Sequence, residues 1–111
     1  MLSVAFGAFG AHGLADRLDA RAMHSFETAA RYQMFHGVAL MLAAWTLERF
    51  PGALPRVAGY AFLTGVALFC GSLYAIALGA SRKLGALAPL GGVSFMIGWA
   101  CLAAAALLAK P

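Results

Sequence analysis

Charged side chains are scarce in this sequence. Asp, Glu, Lys and Arg make up 11% of its 111 residues, whereas 63% of the residues are hydrophobic. A soluble domain usually carries about 25% charged and about 45–50% apolar residues. Because few residues lie outside the apolar runs, the chain cannot also form the hydrophobic core of a soluble domain. The composition therefore excludes an ordinary soluble domain and indicates a single membrane domain over residues 1–111.

Several functional classes lack the residues that they need. The chain has only four carboxylates, and no nucleophile–base–acid set is visible around them, so we expect no enzymatic activity. The glycine-rich segment 7–13 follows no strand and has no acidic partner at the right distance downstream, which disfavours nucleotide binding. No basic tract with interleaved aromatic residues is present, so we expect no nucleic-acid partner.

Cysteine is also rare, and both copies, Cys70 and Cys101, fall within apolar runs. A disulfide between them would require two helices in contact at matching depth. We expect the two thiols to act as small buried apolar groups. No basic region precedes the apolar N-terminal segment, so that segment does not resemble a signal peptide.

Long apolar runs are what the sequence does contain. Residues 57–78 form a run of 22 residues without a charge, and residues 87–109 form another of 23. A helix of 22 residues is about 33 Å long, and the hydrocarbon core of a bilayer is about 30 Å thick. These runs predict two membrane-spanning helices, over residues 56–79 and 87–109.

Two further helices are predicted before these. One covers residues 26–48, with Ser25 as its N-cap, and its first half is polar. The other covers residues 1–17, but its apolar part is only about 21 Å long, so it is either tilted or lacks its start. The fold class expected is an all-α integral membrane protein, a four-transmembrane-helix up-down bundle with a short or truncated first helix.

Small residues recur at helical spacing and predict close helix packing in lipid. The strongest ridge repeats every four residues along the third helix. The predicted packing residues are Gly7, Gly10, Ala67, Gly71, Ala75, Gly79, Gly91 and Gly98.

Polar side chains concentrate at one end of the predicted bundle. Because such groups are costly within a span, a functional role is one hypothesis, and internal hydrogen bonding is the other. The predicted cluster contains His12, Tyr32, Gln33, His36, Ser72 and Tyr74. Two imidazoles alone do not make a metal motif, so we predict no metal or cofactor. One turn apart, Glu27 and Arg31 are predicted to form an ion pair at the interface.

The distribution of basic residues predicts the orientation. Five basic residues lie near the first and third loops and three near the other end. Because cytoplasmic loops carry the excess of Lys and Arg, both termini are expected outside the cytoplasm. The first set is Arg17, Arg21, Arg31, Arg82 and Lys83, and the second is Arg49, Arg56 and Lys110.

Four ordered motifs resemble a known family. They are GAFGAHGL (7–14), ARYQMFHGVAL (30–40), FCGSLYAIAL (69–78) and APLGGVSFMIGW (88–99). Together they resemble the small four-helix membrane proteins of domain of unknown function 423, which include mitochondrial transmembrane protein 256. The resemblance implies four helices in a bacterial inner membrane, or in an organelle membrane descended from one, and no established activity.

The resemblance can also be assigned to individual residues. The family-like positions are Gly7, Gly10, His12, Gly13, Tyr32, Gln33, His36, Gly71, Ser72, Leu73, Tyr74, Pro89, Gly91, Gly92, Gly98 and Trp99. The sequence departs from the family pattern at Cys70, where the motif resembles FSGSLY and a serine is expected. The family's first helix normally begins some residues earlier.

Two functions follow as hypotheses. The first is a structural, accessory or self-associating bundle, whose partners are membrane lipid and either copies of itself or a larger membrane complex. The alternative is a minimal transporter, or a metal- or cofactor-binding membrane protein, that uses the polar cluster around His12 and His36.

Overall fold

The computed structural model describes residues 1–10, 13 and 19–108, and most of these residues are helical. The helices are α1 (Leu2–Phe9), α2 (Ala20–Arg49), α3 (Ala53–Ala77) and α4 (Leu87–Leu108), with a 3₁₀ turn at Arg82–Ala86 before α4. No strand occurs among these described residues. The all-α prediction is therefore confirmed.

Helix α2 begins earlier than predicted. It starts at Ala20 rather than at residue 26, and its N-cap is Asp19, whose Oδ1 accepts a hydrogen bond of 2.7 Å from the Ala22 N–H. An N-cap carboxylate satisfies a backbone donor that the helix itself leaves free. Ser25, the predicted cap, lies inside the second turn. Part of the predicted loop is therefore helix.

Two helices are long and apolar enough to cross a membrane among the described residues, namely Ala53–Ala77 and Arg82–Leu108. Helix α2 is long enough at 30 residues but does not meet the same hydropathy criterion. Its first half carries the polar residues Tyr32, Gln33 and His36. Membrane crossing by α1 and α2 therefore stays a prediction.

Helix α3 is the centre of the bundle. It packs against α2 on one side and α4 on the other, and α1 lies against α2. The contacts run in opposite order along neighbouring helices: Phe62 lies next to Trp99, and Phe69 lies next to Phe95. Helices α3 and α4 are therefore antiparallel, as neighbours are in an up-down bundle.

The interface between α3 and α4 is built from phenylalanine side chains and glycines. A Cβ at Gly98 would meet the Phe62 ring, and a Cβ at Gly65 would meet the Phe95 ring. Gly91 tolerates a side chain least, because a Cβ there would meet backbone atoms of Phe69 and would lie 2.8 Å from its Cα. Gly91 and Gly98 therefore each admit part of a phenylalanine from α3.

Phe69 belongs to a π-helical segment, Val66–Cys70, in the middle of α3. Such a segment adds a residue to one turn and rotates the side chains that follow it. Around it, Phe69 points to α4, and Cys70 is buried in the core.

The predicted ridge of α3 does not pack inside the bundle. Ala67 and Gly71 are exposed, and a Cβ on Gly71 would have no neighbour within 4 Å. A four-residue repeat identifies a helix face but does not say what packs against that face. The interior is occupied instead by the face of α3 that carries Phe62 and Phe69. On α1, Gly10 packs beneath the Phe26 ring, whereas a Cβ on Gly7 would meet nothing.

Gly79 has another role, because it ends α3. Its φ is +107°, its N–H bonds to the Ile76 carbonyl, and the Ala80 N–H bonds to the Ala75 carbonyl. This pair of hydrogen bonds is a Schellman motif, in which a residue in the left-handed conformation stops the helix. Gly79 therefore lies just beyond the helix ridge.

Two adjacent glycines of α4 provide a matched test of this packing. Gly91→Ala should destabilise the bundle by about 1–3 kcal/mol, because the new methyl group meets the Phe69 backbone. Gly92→Ala should not, because a Cβ at Gly92 has nothing within 4 Å and alanine favours helix. The measurement is the free energy of unfolding in mild detergent with added SDS. Equal stability of the two variants would contradict the packing described.

Candidate functional site

His36, a member of the predicted polar cluster, is buried, with 5% of its surface exposed. Its Nε2 lies 3.1 Å from Nε1 of Trp99, and its Nδ1 lies 2.8 Å from the Tyr32 carbonyl oxygen. An indole N–H can only donate, so Nε2 of His36 accepts from it. The Nδ1–H then donates to the Tyr32 carbonyl. The geometry thus specifies the neutral imidazole with its proton on Nδ1.

Aromatic rings enclose this imidazole. The Phe95 ring stacks on His36 with centroids 3.6 Å apart and an interplanar angle of 13°. The rings of Phe62 and Trp99 are tilted against His36 at 5.7 and 5.9 Å. Stacked and edge-on pairs are the favoured arrangements of aromatic rings. Since these residues come from α2, α3 and α4, the imidazole joins three helices at one depth.

A second polar contact joins α2 and α3 nearer the loop end. The Tyr74 hydroxyl donates to Oε1 of Gln33 at 2.7 Å. The rings of Phe6 and Phe26 each meet the Tyr74 ring edge-on, with centroids 5.0 Å apart. Tyr74 therefore ties α1 and α2 to the last two turns of α3.

Two serine hydroxyls within the helices bond to backbone. Ser72 donates to the Phe69 carbonyl of its own helix at 3.0 Å, and Ser94 donates across helices to the Ala61 carbonyl at 2.6 Å. Within the described ranges, no buried side-chain N or O atom lacks a hydrogen-bond partner. The buried polar groups are thus satisfied inside the bundle, and the Ser94 bond joins α4 to α3.

The structure brings together part of the predicted cluster. His36 and Tyr32 meet at one level, Gln33 and Tyr74 meet at another, and Ser72 bonds within α3. Tyr32 contributes its carbonyl and its ring, which lies 4.7 Å from the Phe69 ring. His12 lies outside the described residues. Glu27 and Arg31 are both exposed on α2, and their ion pair stays a prediction.

The sequence analysis did not predict the two residues of α4 that contact His36, namely Phe95, which stacks on it, and Trp99, which donates a hydrogen bond to it. Trp99 was named only as a family-like position, and Phe95 received no role. Their spacing of four residues places them on one face of α4, which is the available signal. Nothing in a single sequence, however, pairs that face with His36.

The arrangement limits the coordination chemistry of His36. Both ring nitrogens are engaged, so ligation of a metal would require breaking either the Trp99 bond or the Tyr32 bond. In the part of the chain that the structure describes, no three His, Cys, Asp or Glu side chains form a group that could hold a metal ion. Cys70 and Cys101 are free thiols. The geometry supports a stabilising role for His36.

Replacing Trp99 tests that role. Trp99→Phe keeps an aromatic ring but removes the donor, leaving Nε2 of His36 without its partner, and should cost about 1 kcal/mol of unfolding free energy. Trp45→Phe is the matched control, because Trp45 is 54% exposed on α2 and should change stability by no more than about 0.5 kcal/mol. The measurement is SDS-driven unfolding in mixed micelles. Equal effects of the two substitutions would refute the assigned hydrogen bond.

Comparison with known proteins bears on the family. The model of the family described as "Protein of unknown function (DUF423)" matches residues 6–92. A UPF0382 membrane protein of Staphylococcus epidermidis is 43% identical over 107 residues, which cover 96% of this chain and 87% of the relative. A UPF0382 membrane protein of Haemophilus influenzae is 43% identical over 100 residues, covering 90% and 80%.

A third relative carries a more specific location in its name. The UPF0382 inner membrane protein YgdD of Escherichia coli is 37% identical over 107 residues, covering 96% of this chain and 82% of the relative. No solved structure matches the chain significantly. The family model covers most of the chain, and these relatives share a membrane designation, which confirms the resemblance carried by the four motifs. The chain belongs to the DUF423 family of membrane proteins.

Proposed function

We propose that this protein is a structural or accessory four-span bundle that self-associates in the membrane through the outer face of α3. The observation that carries the proposal is the exposure of Ala67 and Gly71 on that face. In lipid, small residues allow two helix backbones to approach closely, and van der Waals packing drives association. A second copy of the chain is the partner that this face fits.

The extent of the face supports the same proposal. Nothing lies within 4 Å of a Cβ built on Gly71, so the space above this glycine is open to a neighbouring helix. Ala75, one turn further along α3, is only half-buried. Tyr60 and Leu63 are exposed on the preceding turns, with 68% and 57% of their surfaces accessible. The larger side chains of Tyr60 and Leu63 thus lie next to a stretch of α3 where only small residues cover the backbone.

The polar groups of His36 and Tyr74 are hydrogen-bonded to other parts of the bundle, which favours this function over transport or cofactor binding. A substrate or ion site needs polar atoms directed at the ligand. Here the His36 nitrogens and the Tyr74 hydroxyl are engaged inside the bundle. A transporter role would require these hydrogen bonds to open.

We further propose that the bundle lies in a bacterial inner membrane with both termini outside the cytoplasm. The printed name of the Escherichia coli relative supports the membrane, and the excess of basic residues near the first and third loops supports the orientation. In this arrangement α2 crosses the bilayer with Gln33 bonded to α3 and His36 bonded to α4.

Two alanines provide a matched test of self-association. Ala67→Ile should weaken it at least tenfold, because a branched side chain separates the two backbones. Ala100→Ile, at an exposed position of α4, should leave it within about twofold. The measurement is the dimer fraction in lipid vesicles as a function of protein density, from single-molecule photobleaching. A wild-type chain that remains monomeric at all densities, or equal effects of the two variants, would contradict the proposal.

Labelling from outside the cell tests the spans and the orientation. In a background with Cys70 and Cys101 replaced by alanine, Gly52→Cys should react with a membrane-impermeant maleimide in intact cells. His24→Cys and Ser81→Cys, beside the other end of the bundle, should react only after lysis. All three positions are exposed. Labelling of all three in intact cells would refute the crossing of α2 and α3.

A further inference from the structure

A cavity of about 540 Å³ lies at the loop end of the bundle, where the start of α2 meets the end of α3 and the 3₁₀ turn. Its walls include Asp19, Arg21 and Ser25 from one side and Gly79, Arg82 and Gly85 from the other. The Schellman turn at Gly79 redirects the chain after α3 and so brings Arg82 to the same cavity as Arg21. Two parts of the chain 61 positions apart thus each contribute a guanidinium.

Among the residues that the structure describes, the lining of the cavity has a positive balance of charge. Arg21 and Arg82 supply two positive charges, and Asp19 supplies one negative charge. The Asp19 carboxylate is already committed in part, because its Oδ1 caps the Ala22 N–H at 2.7 Å. Lys83 adds a further cation next to Arg82 along the chain. The lining therefore favours an anion over a cation.

The position of the cavity relative to the spans indicates which anion. The candidate span Ala53–Ala77 ends, and the candidate span Arg82–Leu108 begins, at the level of this cavity. In a bilayer that both helices cross, this is the level of the lipid headgroups. The N–H donors of an arginine guanidinium match the geometry of phosphate oxygens, and basic pockets between membrane helices bind phosphate-bearing headgroups. The charge count over the loops predicts that this end faces the cytoplasm, where anionic lipids attract basic residues.

We propose that Arg21 and Arg82 form a binding site for a phosphate group, carried by an anionic phospholipid or present as free phosphate. The two guanidinium groups hold the phosphate oxygens from opposite sides of the cavity. The Ser25 hydroxyl, which lines the same cavity, supplies a neutral donor. The site is independent of the proposed self-association, because neither Ala67 nor Gly71 lines it.

The test uses the full chain in dodecyl maltoside and compares three added probes. Phosphatidylglycerol carries the phosphate on a lipid, dioleoylglycerol carries two acyl chains without phosphate, and inorganic phosphate lacks the lipid. Native mass spectrometry gives the apparent Kd for each lipid, and the thermal unfolding midpoint reports on inorganic phosphate. Arg21→Gln combined with Arg82→Gln should weaken phosphatidylglycerol binding at least tenfold. Arg49→Gln combined with Arg56→Gln, two exposed arginines at the other end, should change it less than twofold.

A gain of affinity provides the complementary test. Asp19→Asn keeps a good N-cap but removes the negative charge from the cavity, so it should tighten phosphatidylglycerol binding severalfold. Preference for phosphatidylglycerol over inorganic phosphate would assign the site to a lipid headgroup, and the reverse preference to free phosphate. Equal affinities of the two double variants, or dioleoylglycerol binding as tightly as phosphatidylglycerol, would overturn the proposal.

Discussion

A buried imidazole must find a partner for each of its two nitrogens, and the arrangement of the bundle depends on how His36 does so. Leaving a buried polar group unpaired costs more than most single contacts gain. One nitrogen uses the Tyr32 carbonyl of its own helix, which α2 supplies locally. The other needs a donor from a different helix, and Trp99 supplies it. That requirement sets the rotation and depth of α4 relative to α2.

The glycine positions follow from this arrangement. With Phe95 stacked on His36 and Phe62 beside it, the aromatic side chains take up the space between α3 and α4. The two backbones can then approach only where a residue has no side chain, at Gly65, Gly91 and Gly98. Large side chains therefore fill the interior, and the small residues Ala67 and Gly71 remain on the outside of α3. The packing of the interior thereby leaves exposed the face of α3 through which we propose self-association.

The sequence predicts the features that depend on local composition. Two long uncharged runs predict the spans because lipid requires helices with apolar surfaces, and the motif order predicts the family. The sequence does not predict features that depend on how the helices are rotated relative to one another. The N–H···N bond between Trp99 and His36 is an example, because it joins residues 63 positions apart and no pattern within either helix indicates it. The start of α2 was missed for a local reason, because Asp19 and Ser25 are both good caps and only the folded chain distinguishes them.

The hydrogen bond between Trp99 and His36 can be observed directly, because a nuclear spin coupling is transmitted through an N–H···N bond. The measurement is the coupling between Nε1 of Trp99 and Nε2 of His36 in ¹⁵N-labelled protein in lipid. The structure predicts a resolved coupling between these two nitrogens, with the His36 proton on Nδ1. A proton found on Nε2 of His36, together with no coupling to Trp99, would contradict the arrangement on which the bundle depends.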